Sequence, residues 1–147
     1  MTTPRTQAEE FLPAIEVAIE PKEGQVMSEA IELLNQWSQL EPERCKQRNT
    51  TFDFFDGTDD SPAADMADPE LLDFNFGIVQ RQVQKAIVTR KLFYRLESTR
   101  EGHHYATLRD LDSGCHASGN AAEPALALLQ TYVQWLEKSA AKQGAAS

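Results

Sequence analysis

The chain is short of several things, and each shortage removes a class of protein. Its 147 residues include two cysteines, Cys45 and Cys115, far too few for the disulfide framework that holds small secreted domains together. No apolar run approaches the roughly 18 residues a membrane span requires. Met1 to Arg5 is polar and leads into Ala8, Glu9 and Glu10, so neither the basic start nor the apolar core of an export signal is expected. A reducing cytoplasm fits these absences. Phosphate-cradling glycine loops and basic-aromatic patches are absent as well.

Basic residues are missing from one particular stretch. Residues 51–73 carry no Lys or Arg against eight Asp or Glu, net −8, whereas residues 1–50 give −4, residues 74–90 give +3, and residues 91–147 balance at six against six. The overall charge of −9 is therefore concentrated in one central segment. Such a field repels nucleic-acid backbones and favours a basic protein partner.

The length suits a single domain spanning 1–147. From Leu12 to Glu20 apolar and polar residues alternate, with Ile15, Val17 and Ile19 on one side, which predicts a half-buried strand that Pro13 confines to an edge or a start. Val26, Ala30, Leu33, Leu34, Trp37 and Leu40 recur at helical spacing until Pro42, predicting a helix from about Gln25 to Glu41. Phe52, Phe54 and Phe55 interleave with Asp53 and Asp56, either as a short strand or as anchors of a loop. The whole of 51–68 has the composition of an acidic flexible loop.

Asp68-Pro69 then reads as a helix cap and first turn, followed by Leu72, Phe76, Val79, Val83 and Ile87 on one face. Leu92, Tyr94 and Leu96, the turn Arg100-Glu101-Gly102, and Ala106 with Leu108 predict a hairpin. Gly114 to Gly119 forms a third strand or a loop. Pro124 opens a helix striped by Leu126, Leu129, Val133 and Leu136. A disordered tail is expected over 139–147. The fold class is α+β, an antiparallel sheet with packed helices, with a loose echo of strand then helix in the two halves.

Candidate chemistry is thin. His103, His104, Cys115 and His116 include good zinc ligands, but the short paired spacings of zinc sites are missing and neighbours on a strand point to opposite faces. The same residues offer no orienting third group for a Cys-His nucleophile. Asp53, Asp56, Asp59 and Asp60 lack the closing Glu of a calcium loop, since Ala63 stands where it is needed. No metal or cofactor is expected. The stretch Phe52 to Asp60 is open to two readings, a mimic of nucleic acid presented to a basic groove or an ordinary connection with phenylalanines tucked inside. Trp37 and Trp135 occupy stripe positions, where core packing is the default and an interface anchor the alternative.

The segment from Tyr94 to Glu137 carries Gly102, Tyr105-Ala106, Asp110-Leu111, Gly114-Cys115, Gly119-Asn120, Glu123, Ala125-Leu126 and Trp135-Leu136-Glu137. In this order it resembles HicB-family antitoxin domains, with Ala121 and Pro124 departing from the family's preferred Thr and acidic residue. The hairpin-helix module so delimited is 91–138, about a third of the chain. The resemblance implies a small acidic binding or inhibitor protein that masks a basic toxin or nuclease, and HicB-like proteins are commonly oligomeric. A homodimer formed by exposed sheet edges is expected. The residues expected to meet the partner are Phe52, Asp53, Phe55, Asp56, Asp59, Asp60, Tyr105 and Trp135. Two alternatives stand beside this: a phage or mobile-element accessory protein that inactivates a host defence complex, and an enzyme using His104, Cys115 and His116.

Overall fold

The computed structural model describes the backbone of residues 8–57 and 62–146, and the side chains of 24–57 and 62–142. The chain runs as a long helix α1 (Ala8–Leu40), a three-stranded meander β1 (Cys45–Arg48), β2 (Thr51–Phe54) and β3 (Ala63–Asp65), and a 3-10 turn (Pro69–Leu71) leading into α2 (Leu72–Thr89). A second meander follows, β4 (Phe93–Ser98), β5 (His104–Arg109) and β6 (His116–Ala121), and then α3 (Pro124–Ala146). Both sheets are antiparallel, in the orders β1-β2-β3 and β4-β5-β6. The α+β class is as expected, and the echo between the halves becomes a definite pattern of three strands followed by a helix. Among the described residues no helix is long and apolar enough to cross a membrane.

Three expectations need correction. Leu12 to Glu20 is helical, part of α1, rather than a strand; Leu12, Ile15 and Ile19 also fall at helical spacing, so alternation alone was ambiguous. The acidic 51–68 stretch is not simply a flexible loop, because β2 and β3 lie within it and pair as Phe52 with Ala64 and Thr51 with Asp65; residues 58–61 lie outside the described residues. The expected tail is helix as far as Ala146, and Lys142 Nζ donates to the Ser113 carbonyl at 3.0 Å. Ser147 lies outside the described residues.

α3 is the common element, packing on β5 and β6 and on both other helices. It is apolar nearly all round, as a helix covered on several sides must be: Ala125 to Leu129, Thr131, Tyr132, Val133, Trp135 and Leu136 are all buried. The α2 stripe is confirmed by burial of Phe76, Val79, Val83 and Ile87, and Asp68 accepts from the Glu70 N–H as the expected cap. Trp37 links the layers, its ring 5.7 Å from Phe54 and 5.9 Å, edge-on, from Tyr132.

Where the three helices meet lies a buried polar node. Glu41 is 2 % exposed and accepts from Trp37 Nε1 at 2.8 Å, from the Tyr132 hydroxyl at 2.8 Å and from Arg90 Nε at 3.0 Å. Arg90 also donates to the Tyr132 oxygen at 2.9 Å and lies over the Trp135 ring, 5.5 Å from its centroid. The C-terminal ends of α1 and α2 are thereby tied to the middle of α3.

The two edges of the second sheet are treated differently. On β6, Gln134 Oε1 accepts from the Ser118 N–H at 3.1 Å, Gln130 Oε1 accepts from the Asn120 N–H at 2.8 Å, and Lys138 Nζ donates to the His116 carbonyl at 3.1 Å. Residues 130, 134 and 138 are four apart on α3 and so form one row along the strand. Gly119 belongs to this arrangement: a Cβ there would stand 2.5 Å from Gln130 Oε1 and 2.8 Å from Thr131 Oγ1. Among the described residues no side chain bonds to the backbone of β4's outer edge in this way.

Candidate partner-binding surface

The residues expected to bind a partner are distributed by the strand pleat rather than gathered. Phe52 is fully buried, as is Phe54, because both point inward from β2. Asp53 points outward and pairs with Arg48 at 3.1 Å. Asp56 has its side chain only 3 % exposed and meets Lys85 Nζ at 2.7 Å. Trp135 is buried beneath Arg90. Phe52, Asp56 and Trp135 therefore do structural work, in the core or in fixing the β2–β3 connection to α2. Phe55 and Tyr105 are exposed, Tyr105 lying 5.6 Å from the His103 ring. Asp59 and Asp60 lie outside the described residues.

A different surface combines exposed apolar groups with acids that have no ion pair among the described residues. At the junction of the 3-10 turn and α2, Leu71 is 50 % and Phe74 67 % exposed, flanked by the exposed Glu70 and Asp73. Phe74 falls two residues before the stripe residue Phe76, and residues two apart on a helix do not share a face; it is thus turned to solvent. Glu123, just before α3, is near enough to feel Asp73: burial first, and then the Asp73 charge, hold its carboxyl above the usual carboxylate range, with His104 acting in the opposite direction. An apolar knob beside converging carboxylates is suited to a partner that brings an apolar pocket rimmed by Lys or Arg. Phe74 is not among the residues expected from the sequence, where the denser aromatic run at 52–55 stands out; its signal is a phenylalanine off the stripe of an amphipathic helix.

The histidines and the half-buried Cys115 do not form one site. In the β5–β6 register His104 lies opposite Ala121 and His116 opposite Arg109, which sets the two histidines about 17 Å apart along the sheet. His104 instead shares a hydrogen bond with Ser98 Oγ at 2.7 Å. Among the described residues no three His, Cys, Asp or Glu side chains are grouped to hold a metal. A shallow cleft of about 570 Å³ on the outer face of the second sheet is lined by Phe93, Arg95, Thr107, Arg109, Leu111 and His116 among others. It holds no thiol and no carboxylate to act as a base.

Cys45 and Cys115 are both free thiols, the first buried and the second half-buried. Burial, followed by the negative charges of Asp53 and Glu41, pushes the Cys45 thiol up to about 12. Burial and the Glu41 charge likewise hold the Tyr132 hydroxyl above its usual range. Both groups bind their protons more tightly folded than unfolded, so their contribution is fully present below about pH 9 and is lost as pH rises toward the folded values. Urea unfolding is expected to show stability falling above pH 9 by up to about 1.4 kcal/mol per pH unit for each ionising group. Cys45→Ala, compared with the parent across the same range, is expected to flatten that slope; an unchanged slope would remove Cys45 from the account.

Comparison with protein families, with curated proteins and with solved structures finds no match to this chain.

Proposed function

We propose that this is a small acidic protein-binding or inhibitor protein, antitoxin-like in action, which masks a basic toxin or nuclease. The observation that carries the reading is the exposed Phe74 and Leu71 flanked by Glu70 and Asp73. An exposed aromatic anchor supplies binding energy and the surrounding carboxylates supply selectivity for a basic partner. The net charge of −9 favours the same kind of partner over nucleic acid. The separation of His104 from His116 argues against the alternative of an enzyme built on those residues. Two free thiols suit a cytoplasmic location, and we take the assembly to be a homodimer.

The reading is tested by capturing partners from the native host with the tagged protein and with Phe74→Ser. A basic polypeptide is expected on the parent, released as salt is raised, and retained at least ~10-fold less by Phe74→Ser. A parent protein that emerges alone, or a partner held equally by the variant, would count against this surface.

A further inference from the structure

β4 is an edge strand, and among the described residues no strand pairs with its outer side. The Thr99 N–H donates to the His103 carbonyl at 2.8 Å, closing the β4–β5 turn, and bonding direction alternates along an antiparallel strand. Phe93, Arg95 and Glu97 thus direct their backbone groups toward β5, while those of Tyr94, Leu96 and Ser98 point away from the sheet. Among the described residues no group is bonded to them on that side. β4 also has neither proline nor bulge, and Phe93 is 63 % and Tyr94 38 % exposed. Soluble proteins generally block such edges; here α3 blocks the β6 edge and leaves the β4 edge open.

We propose that the β4 edge is filled by β4 of a second copy, antiparallel about a two-fold axis at Leu96, giving one continuous six-stranded sheet. This deepens the dimeric reading above and rests on it. Two constraints select the register. First, the residues whose backbone groups point outward, Tyr94, Leu96 and Ser98, must face one another across the axis, so the axis passes through a residue and not between two. Second, the axis must suit the charges. Centred on Leu96, each Arg95 stands opposite Glu97 of the other copy, a mutual pairing of opposite charges in the closer, non-hydrogen-bonded positions. Leu96 exchanges both backbone bonds with its counterpart, and Tyr94 pairs with Ser98. An axis at Arg95 or at Glu97 sets that charge opposite its own copy, one at Tyr94 places Arg95 opposite Phe93, and one at Ser98 places Glu97 opposite Thr99, so none of these matches the charges. Within one chain Arg95 and Glu97 meet only at 3.4 Å with both side chains largely exposed, which leaves them available to the second copy.

The test is light scattering on the full chain, with circular dichroism to confirm folding. The parent is expected to be dimeric. Arg95→Glu and Glu97→Arg each set like charges opposite one another twice, and each is expected to weaken the dimer at least ~10-fold. The double exchange, Arg95→Glu with Glu97→Arg, restores complementarity and is expected to restore the dimer. A monomeric parent overturns the dimeric reading itself. A dimer that survives both single variants, or a double variant no better than either single one, overturns the β4 register while leaving a dimer through another face.

Discussion

Replacing Glu41 with alanine is expected to lower stability by about 3–5 kcal/mol. The side chain is almost wholly enclosed and is the shared acceptor for Trp37 Nε1, the Tyr132 hydroxyl and Arg90. Its loss leaves an indole N–H and a phenol O–H in the core without their acceptor, and a guanidinium whose nearest countercharge is gone. The cost comes mainly from those orphaned donors, since a buried pair as a whole adds little but half of one is expensive. Glu41→Gln keeps the volume and an oxygen for Trp37 and Tyr132 but turns an amide toward Arg90, so it is expected to fall between the parent and alanine. Urea unfolding measures both. A loss below about 1 kcal/mol for alanine would mean that the node is not a structural tie.

Phe52→Ala carries the other large effect, again about 3–5 kcal/mol. The ring is fully buried at the centre of the first sheet, opposite Ala64 on one side and Gln47 on the other. Truncation removes buried apolar area and leaves a cavity that a three-stranded sheet pinned by Trp37 and Phe54 cannot easily close. The comparison with Phe74→Ser is informative, because Phe74 is 67 % exposed and its replacement is expected to change stability by no more than about 0.5 kcal/mol. Phenylalanines 52 and 74 thus separate folding from the proposed binding. If Phe52→Ala unfolded at the parent's denaturant midpoint, the buried assignment of β2 would have to be abandoned.

Charge and aromatic content pointed to residues 51–73 as the distinctive part of this protein, and the tertiary structure divides that segment. Asp53, Asp56 and Asp65 are occupied within the molecule, by Arg48, by Lys85 and by the Thr50 hydroxyl. Asp68 caps a helical turn. Much of the acidity of this segment is therefore used inside the molecule, and the part that faces solvent without a partner among the described residues is Glu70 and Asp73, beside Phe74. A count of charges along the chain does not distinguish these cases, because ion pairing depends on which basic residue is brought near: Lys85 is remote from Asp56 in sequence and reaches it only when α2 lies against the first sheet.

The sequence by itself determined the α+β class, the hairpin around Gly102, the buried stripe of α2 and most of α3. Each of these is governed by contacts within a few residues, where side-chain period and turn chemistry decide the outcome. Only the tertiary structure decided that Leu12 to Glu20 continues a helix, since its apolar residues satisfy both periods. It also decided that Phe52 is core and Phe74 surface, and that Gln130, Gln134 and Lys138 close the β6 edge while no described residue bonds to the outer side of β4. Those outcomes depend on which element lies across from which, a long-range arrangement that no local period encodes.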